Sequence, residues 1–304
     1  MTILSEIFAH KRLEVAEQKR RVSTAELREQ IETVRPPLDF VSAVRRSPTT
    51  AVVDPALRRS PTTPVVDPKS GDFGLQYFGL QYPALIAEVK KGSPSQGIMV
   101  QDFDPLLLAQ TYAANGAAAI SVLTDQKYFG GSLDYLKQIA ALNLGRPLLR
   151  KEFICDLYQI YEARVAGADA VLLIVAELSD HQLLVFQSLV RQLGMAALVE
   201  VHTGPELIRA LRCEATLIGI NNRNLHDFSV SLETTRRLRP IIPAPLTVVA
   251  ESGISSPADF ADLPVDAVLV GEALVRAENI GAKVRELAGV PHPRPPRSSG
   301  NLCK

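Results

Sequence analysis

Several apolar runs in the chain end in charged residues of the types that carry out acid–base chemistry. Glu88 and Lys90 end one run, Lys151 ends a second, and Glu200 ends a third. In a partly dry cavity an ammonium group lowers the pKa of a neighbouring ammonium group, and a carboxylate offsets that effect. A lysine with a lowered pKa is a usable general acid near neutral pH. The four residues therefore predict an acid–base site.

The spacing of the apolar runs indicates the fold that positions these residues. From residue 83 the chain alternates helical patterns with eight strand candidates, which are 84–90, 118–124, 147–153, 170–176, 196–202, 217–222, 246–251 and 267–271. Nearly uninterrupted apolar runs are typical of strands covered on both faces. Eight β–α units in about 200 residues predict an α/β fold, a (β/α)8 TIM barrel. A doubly wound sheet uses the same alternation, but reactive residues at the ends of many strands favour the barrel.

The alternation of side chains along a strand sorts the charged residues by face. Glu88 and Lys90 are two residues apart and share one face, as Lys151 and Phe153 do two strands later. Structural ion pairs at the rim of the barrel are the alternative interpretation. Four charges at the ends of three strands, on the face where barrel enzymes keep their active sites, favour catalysis.

The barrel is preceded by an extra N-terminal helical segment. Residues 3–22 have the pattern of a charged amphipathic helix, with apolar residues near helical spacing. Ser23 and Glu26 have the spacing of a capping box, which predicts the start of a second, shorter helix.

Residues 45–82 contain two duplications. Residues 45–55 recur at 58–68 with one change, and residues 73–77 recur at 78–82. Two copies are too few for a solenoid, and prolines exclude regular structure, so we interpret the segment as a flexible insertion. A proline-motif docking site is the alternative. The predicted organisation is an N-terminal helical extension, the insertion, the catalytic barrel and a disordered tail, at residues 1–44, 45–82, 83–289 and 290–304.

Composition excludes several classes of protein. Lys and Arg together number 33, as do Asp and Glu, and a net charge of zero argues against nucleic-acid or membrane-surface binding. No apolar run approaches the ~20 residues that span a bilayer, and the N-terminus lacks a secretory-signal pattern. The three cysteines are scattered, and the five histidines have no metal-ligand spacing. We therefore expect a cytoplasmic protein without a bound metal.

Six motifs, in this order, resemble those of one enzyme family. They are IAEVKKGSPS at 86–95, SVLTDQKYFGGS at 121–132, LRKEFI at 149–154, LVEVH at 198–202, GINNRNL at 219–225 and AESGI at 250–254. The family they resemble is indole-3-glycerol-phosphate synthase, and the resemblance covers residues 3–44 and 83–289. It implies a TIM barrel with an extra N-terminal helix.

The resemblance implies a small-molecule substrate, 1-(2-carboxyphenylamino)-1-deoxyribulose 5-phosphate. The ring carbon that bears the carboxylate attacks the ketone carbon, and loss of CO2 and then of water gives indole-3-glycerol phosphate, a step of tryptophan biosynthesis. No redox change occurs, so we expect no cofactor, in agreement with a sequence that lacks a Gly-x-Gly-x-x-Gly turn. The oligomeric state, and any association with other enzymes of the pathway, are left open by the sequence.

The resemblance also implies a role for each of the four charged residues. Lys151 is the acid that protonates the ketone oxygen, and Glu200 is the base of the dehydration. Lys90 holds the substrate carboxylate before it leaves and assists dehydration, while Glu88 orients a lysine and takes part in proton transfer. These assignments make the chain a carboxy-lyase that works by general acid–base catalysis.

Ten further residues are implied to bind the substrate. Phe129 and Phe153 pack against the anthranilate ring, and the polar and phosphate contacts come from Ser93, Asn221, Arg223, Glu251, Ser252, Gly253, Gly271 and Glu272. Glycines after the last two strands let a phosphate approach backbone N–H groups. The loop 91–103 is expected to close over the substrate and exclude water.

Some of these residues have a second interpretation. In the alternative interpretation, Arg223 forms a purely structural ion pair with Glu200 or Glu251. His202 and His226 are interpreted as bystanders. In the same way, either phenylalanine would ordinarily be interpreted as a core aromatic residue.

Two departures from the family bear on substrate binding. Position 272 is serine in many members, and Glu272 would repel the phosphate if its carboxylate pointed there. The insertion at 45–82 lengthens the link into the first strand. Because loop-closure entropy rises slowly with length, the fold should survive, although the N-terminal helices would be tethered less tightly over the barrel mouth.

Three other functions are weighed against this interpretation. An isomerase related to phosphoribosylanthranilate isomerase would use a Cys–Asp pair, for which Cys155 and Asp156 are the candidates. A Schiff-base aldolase would use Lys151 as its nucleophile. A barrel impaired by the insertion and kept as a non-catalytic scaffold is the third, and the intact set of Lys90, Lys151 and Glu200 argues against it.

Overall fold

Eight parallel strands form the centre of the molecule. The computed structural model describes residues 2–45, 82–94, 96–224 and 228–291. The strands of its barrel are β1 (Ala84–Val89), β2 (Ala119–Leu123), β3 (Leu148–Lys151), β4 (Ala170–Ile174), β5 (Ala196–Val201), β6 (Leu217–Asn221), β7 (Thr247–Glu251) and β8 (Ala267–Val270). Each strand pairs in parallel with the next, and β8 closes on β1. The predicted TIM barrel is confirmed, and every strand lies within its predicted range.

Helices surround the barrel and precede it. They are α1 (Ile3–Arg21), α2 (Thr24–Ile31), α3 (Phe40–Val44), α4 (Pro105–Ala114), α5 (Gln126–Phe129), α6 (Leu133–Ala141), α7 (Leu157–Val165), α8 (Asp180–Gln192), α9 (Gly204–Arg212), α10 (Glu233–Leu238), α11 (Glu272–Val275) and α12 (Ile280–Ala288). Short 3-10 helices lie at Val175–Glu177, Arg239–Ile241 and Pro257–Phe260. A small hairpin in the loop after β1 pairs Gly92–Ser93 with Gly97–Ile98.

The apolar residues of the strands form two cores, one on each side of the barrel wall. Leu85, Ala87 and Val89 face outward and belong to the core shared with the surrounding helices. Ile86 faces inward and belongs to the core inside the barrel. Because side chains alternate, the inward row of β1 continues from Ile86 to Glu88 at the carboxyl end of the strand. A core of this kind places polar residues only at the rim, where barrel enzymes keep their sites.

The N-terminal segment contacts both ends of the barrel. The predicted capping box is confirmed, with Ser23 and Glu26 bonded to each other's backbone at the start of α2. Helix α1 lies at the carboxyl end, where Leu4 lines the central cavity. Helix α3 lies at the amino end, where Phe40 and Val44 join the core inside the barrel and Arg35, in the segment before the helix, pairs with Asp169 at 2.8 Å just before β4. The segment therefore packs along the outside of the barrel from one end to the other.

Some predictions concern residues beyond the described ranges. The flexible insertion at 45–82 and the disordered tail at 290–304 lie outside them, apart from the residues at their ends. Within the described ranges no helix is long and apolar enough to cross a membrane. The same ranges contain no group of three or more His, Cys, Asp and Glu side chains placed to hold a metal ion.

Candidate active site

The structure brings all the predicted site residues around one cavity at the carboxyl end of the barrel. The cavity has a volume of about 170 Å³. Its lining includes Glu88, Lys90, Ser93, Phe129, Lys151, Phe153, Glu200, Asn221, Arg223, Glu251, Ser252, Gly253, Gly271 and Glu272. These residues come from seven strand ends and the loops that follow them. The parallel strands explain this convergence, because their carboxyl ends meet at one rim.

Lys151 lies between two buried carboxylates. Its Nζ is 3.3 Å from Glu251 Oε2 and 3.5 Å from Glu200 Oε2, and Glu251 and Glu200 are 1% and 2% exposed. Burial lowers the pKa of Lys151, but the charges of Glu251, Glu200 and Glu88 raise it well above its ordinary value. The predicted lowering of the lysine pKa is therefore wrong. The nearest charges are carboxylates, so Lys151 is an ammonium ion at neutral pH.

The two carboxylates beside Lys151 have pKa values shifted in opposite directions. Burial raises the pKa of Glu251 and outweighs the lowering by the charge of Lys151, and the charge of Glu200 adds to the upward shift. Burial acts against ionisation of Glu200 too, but Lys151, His202 and Asn221 outweigh it and lower the pKa of Glu200. Two groups whose environments push their pKa values apart are suited to different roles as acid and base. Glu200 is thus ionised and suited to accept a proton.

Glu88 and Lys90 share the inward face of β1, as predicted from their spacing. Lys90 Nζ is 3.6 Å from Glu88 Oε2 and 5.7 Å from the centre of the Phe129 ring. The Glu88 carboxylate packs against Gly271, where any Cβ would collide with Glu88 Oε2. A Cβ at Gly219 would likewise collide with Glu251 Oε1. These two glycines make room for buried carboxylates on the neighbouring parts of the rim.

Aromatic and aliphatic side chains form one wall of the cavity. The rings of Phe129 and Phe153 have centroids 5.7 Å apart, and Phe8 of α1 meets Phe153 edge-on at 5.8 Å. Sequence reasoning missed the remaining apolar lining residues, which include Leu4, Ile7, Leu172, Ile174 and Leu269. The two on β4 occupy alternate positions at the end of a strand, and this spacing is a signal that they face inward.

Hydrogen bonds fix the rim between β6 and β7. Asn221 Oδ1 accepts from the Arg223 backbone N–H at 3.0 Å and lies 3.0 Å from Ser252 Oγ. Ser252 has a φ of 65° and Gly253 a φ of 81°, so two left-handed residues follow β7 in succession. A non-glycine residue in this region carries strain of the kind found at functional sites. Arg223 donates to the Phe228 carbonyl at 3.2 Å, so the predicted bridge to Glu200 or Glu251 is wrong.

The Glu272 carboxylate is paired with a neighbouring arginine. Glu272 Oε1 lies 3.2 Å from Arg276 Nε, one helical turn along the same helix. Arg276 also donates to Gln96 Oε1 at 2.9 Å, which ties the loop after β1 to the β8 side of the cavity. The arginine offsets the negative charge that the sequence places beside the expected phosphate site. Ser93 of the same loop lines the cavity.

His202, interpreted from the sequence as a bystander, contacts the predicted base. His202 Nε2 lies 3.3 Å from Glu200 Oε1, and His202 Nδ1 lies 3.2 Å from Glu206 Oε2. The signal in the sequence is the separation of two residues between Glu200 and His202, because residues two apart on a strand share a face. His226, the other predicted bystander, lies outside the described residues.

A buried lysine of the N-terminal helix also escaped sequence reasoning. Lys11 is 1% exposed, and its Nζ lies 2.9 Å from Glu14, 3.0 Å from Asp125 and 3.2 Å from Glu152. Glu152 Oε1 accepts the Phe153 backbone N–H at 2.9 Å. This group of charges fastens α1 to the loops after β2 and β3, next to the aromatic wall of the cavity.

Cys155 and Asp156 do not form the acid–base pair of the isomerase alternative. Neither residue lines the cavity. Asp156 caps α7 by accepting the Tyr158 N–H at 2.9 Å, and it pairs with Lys19 at 2.7 Å. Burial raises the pKa of the Cys155 thiol to about 11. A thiol that holds its proton away from the cavity cannot act on a substrate there.

The fold and the site geometry define a TIM barrel with a lysine held between two carboxylates at the rim of its cavity. A family model described as Indole-3-glycerol phosphate synthase matches residues 74–287. A protein of that name from Roseiflexus castenholzii is 49% identical over 301 residues, which cover 95% of this chain and 98% of that protein. Another from Dehalococcoides mccartyi is 57% identical over 208 residues, covering 67% and 80%. The chain therefore belongs to the indole-3-glycerol phosphate synthase family.

Family membership confirms the predicted class of function, a carboxy-lyase of tryptophan biosynthesis. A solved structure with the same fold is 3-hexulose-6-phosphate synthase from Salmonella typhimurium. It has a TM-score of 0.57 at 15% identity and covers 68% of this chain and 97% of that chain. At such low identity the likeness concerns the barrel alone.

Proposed function

We propose that this chain converts 1-(2-carboxyphenylamino)-1-deoxyribulose 5-phosphate to indole-3-glycerol phosphate in the cytoplasm, without a cofactor. The observation that carries the proposal is the position of Lys151, which lies between Glu200 and Glu251 at the rim of the same cavity as two phenylalanine rings. An ammonium donor, an ionised acceptor and an apolar wall are what ring closure and dehydration of an anthranilate derivative require.

Lys151 donates the proton of ring closure. As the ring carbon attacks the ketone carbon, negative charge develops on the ketone oxygen. The ammonium group of Lys151, held by the carboxylates of Glu251 and Glu200, can transfer a proton to that oxygen. Once the proton has left, the neutral amine no longer balances the two carboxylates, which favours its reprotonation.

Lys90 and Glu200 act in the two steps that follow ring closure, the loss of CO2 and the loss of water. Lys90 stands at the mouth of the barrel beside the Phe129 ring, where its charge can hold the substrate carboxylate next to the aromatic wall until CO2 departs. Glu200 then takes a proton from the ring methylene while the ammonium group of Lys90 gives a proton to the hydroxyl group, which leaves as water. Glu88 keeps Lys90 in place through their contact at 3.6 Å.

The phosphate end of the substrate is assigned to the β7 and β8 side of the cavity. The left-handed turn at Ser252 and Gly253 directs the backbone of this loop toward the cavity that both residues line. Gly271 and Glu272 follow β8 on the adjacent part of the rim. Because the Glu272 carboxylate is paired with Arg276, it leaves this side open to an anion.

Two alternatives have less support. A Schiff-base aldolase would need Lys151 as a free amine, whereas the carboxylates around it raise its pKa and keep it protonated. Buried charges cost stability unless they are compensated. A non-catalytic scaffold would have no reason to keep a group of them in its cavity.

The proposal is tested by following the fluorescence of indole-3-glycerol phosphate when purified chain is mixed with the carboxyphenylamino substrate. We expect turnover without added metal or nucleotide cofactor. Borohydride added during turnover should leave the enzyme active and unlabelled. A stable adduct on Lys151 would support the aldolase instead, and a properly folded chain without turnover would support the scaffold.

Replacing Gly271 with alanine should lower kcat by about tenfold to a hundredfold, because the new Cβ displaces the Glu88 carboxylate. A comparison of kcat and Tm for wild type and variant checks this. Gly204→Ala is the matched control, since a Cβ at Gly204 meets open space, and it should keep wild-type turnover. A Gly271→Ala enzyme with the kcat of the control would show that the position of Glu88 is unimportant.

A further inference from the structure

A second cavity lies next to the active site and shares part of its wall. It has a volume of about 580 Å³ and shares Asn221 and Arg223 with the first cavity. Its lining is mainly polar and includes the exposed residues Thr203, Asn224 and Ser229. Solvent therefore reaches this cavity through these exposed residues.

His202 forms the partition between the two cavities. It lines the second cavity, while Glu200, which it contacts through Nε2, lines the first. On its other side Glu206 holds the ring, since Glu206 Oε2 accepts the His202 backbone N–H at 2.8 Å and lies 3.2 Å from Nδ1. A ring held between two carboxylates through both nitrogens has its plane and position fixed.

The surroundings of His202 favour its charged form. Burial lowers the pKa of His202, but the bonds to Glu200 and Glu206 outweigh this and raise it to about 10. The charged groups that line this cavity are Glu177 before α8, Glu206 on α9, Arg223 after β6 and Arg237 on α10, and Glu200 on β5 faces the ring from the first cavity. Of these, only the two carboxylates that touch the ring lie within ion-pair distance of it in the described part of the chain.

We propose that His202 is a positioning residue that acts through Glu200, holding this carboxylate in place and ionised so that it can accept the proton of dehydration. The inference rests on the proposed function, because it assumes that Glu200 is the base. Lys151 also faces Glu200, but its charge is lost in ring closure and returns only on reprotonation, so it does not support the ionised carboxylate throughout the reaction. His202 supplies a positive charge that the chemistry does not consume.

The test is the pH profile of kcat for wild type and His202→Asn. A base works above its pKa, so loss of the neighbouring positive charge should raise the pKa of Glu200 and move the acidic limb of the profile upward by about one to two pH units. The loss of turnover relative to wild type should reach tenfold or more on the acidic limb of the profile and should shrink toward nothing on its plateau at higher pH. A purely structural role predicts an equal loss at every pH, and that result would overturn the proposal.

A second variant uses the solvent access of the second cavity. On the acidic limb of the His202→Ala profile, added imidazole should restore turnover, whereas pyrazole, a ring of the same shape that stays neutral, should not. Equal rescue by both compounds, or turnover within twofold of wild type without either, would refute a role for the charge. His181→Ala is the control, because His181 lies exposed on α8, and it should behave as wild type.

These outcomes are separable from failure of the proposed function. A wild-type chain that does not form indole-3-glycerol phosphate removes the proposed function and the inference together. A wild-type chain that is active, with a His202→Asn profile that matches it at every pH, removes the inference alone. Circular dichroism and Tm of each variant show that folded proteins are being compared.

Discussion

Replacing Lys151 with alanine is expected to lower kcat by about a thousandfold or more while the protein stays folded. General acid catalysis by a positioned side chain contributes on the order of 10² to 10⁴ in rate, and no other ammonium group contacts both Glu200 and Glu251 among the described residues. The measurement is single-turnover formation of indole-3-glycerol phosphate, which separates the chemical step from product release.

The variant should remain folded because the site can compensate for the lost charge. Without Lys151, the buried carboxylates of Glu200 and Glu251 would face each other with no ammonium group between them. Burial already raises the pKa of Glu251, so this group can take up a proton and leave a single charge, on Glu200. Thermal unfolding should therefore show a moderate change in Tm rather than loss of the folded state.

One further variant distinguishes loss of the proton donor at position 151 from loss of the positive charge, and a second variant serves as a control. Lys151→Arg keeps a positive charge between the carboxylates, but a guanidinium group does not release its proton at neutral pH. It should therefore be nearly as inactive as the alanine variant. Lys137→Ala, at a lysine whose side chain is 51% exposed on α6, should turn over as wild type does. Turnover close to wild type in Lys151→Ala or Lys151→Arg would exclude this residue as the acid.

The sequence was sufficient to predict the barrel and the residues around its cavity. Buried parallel strands give unbroken apolar runs, and such runs are visible in any sequence. Strand periodicity then places Glu88 with Lys90, and Leu198 with Glu200, on one inward row. Since a closed parallel barrel brings every carboxyl end to one rim, the residues that end the runs must meet there. The roles assigned to them remain predictions.

Distances between charges on different strands were not predictable in the same way. The sign of the Lys151 pKa shift depends on whether Lys90 or the carboxylates are nearest, and that depends on the tilt and register of the strands. Glu251 ends β7 and Glu200 ends β5, yet both reach Lys151 on β3 across the mouth of the barrel. No sequence period relates these three residues, so only the structure shows the direction in which the pKa of Lys151 shifts.

The N-terminal helix shows a second limit of sequence reasoning. Lys11 lies in a stretch rich in charged residues, where lysines normally face solvent. It is buried because loops after β2 and β3 supply Asp125 and Glu152, more than a hundred residues away along the chain. A partner so remote in sequence leaves no local signal. The predicted helix was confirmed, but its attachment to the barrel was not foreseen.

Replacing Lys11 with methionine should lower the free energy of unfolding by about 3–5 kcal/mol, because removal of one partner leaves buried charges without compensation. Methionine keeps the unbranched stem of lysine, so the change isolates the charge. The measurement is equilibrium unfolding in urea. Lys19→Met is the matched control on the same helix: Lys19 pairs with Asp156, but the two side chains are 41% and 36% exposed, and such pairs contribute about 0–1 kcal/mol.

The loss caused by Lys11→Met should depend on pH in a defined direction. Burial would raise the pKa of Glu152, but Lys11 and Arg150 outweigh it and hold this pKa below its usual value. In wild type the ionised carboxylate therefore adds stability above its unfolded pKa of about 4.3, and this is lost as pH falls through the lower folded pKa. The difference between the two proteins should be full at pH 7 and shrink below about pH 4. A Lys11→Met protein no less stable at pH 7 than Lys19→Met would show that α1 is held by its apolar contacts alone.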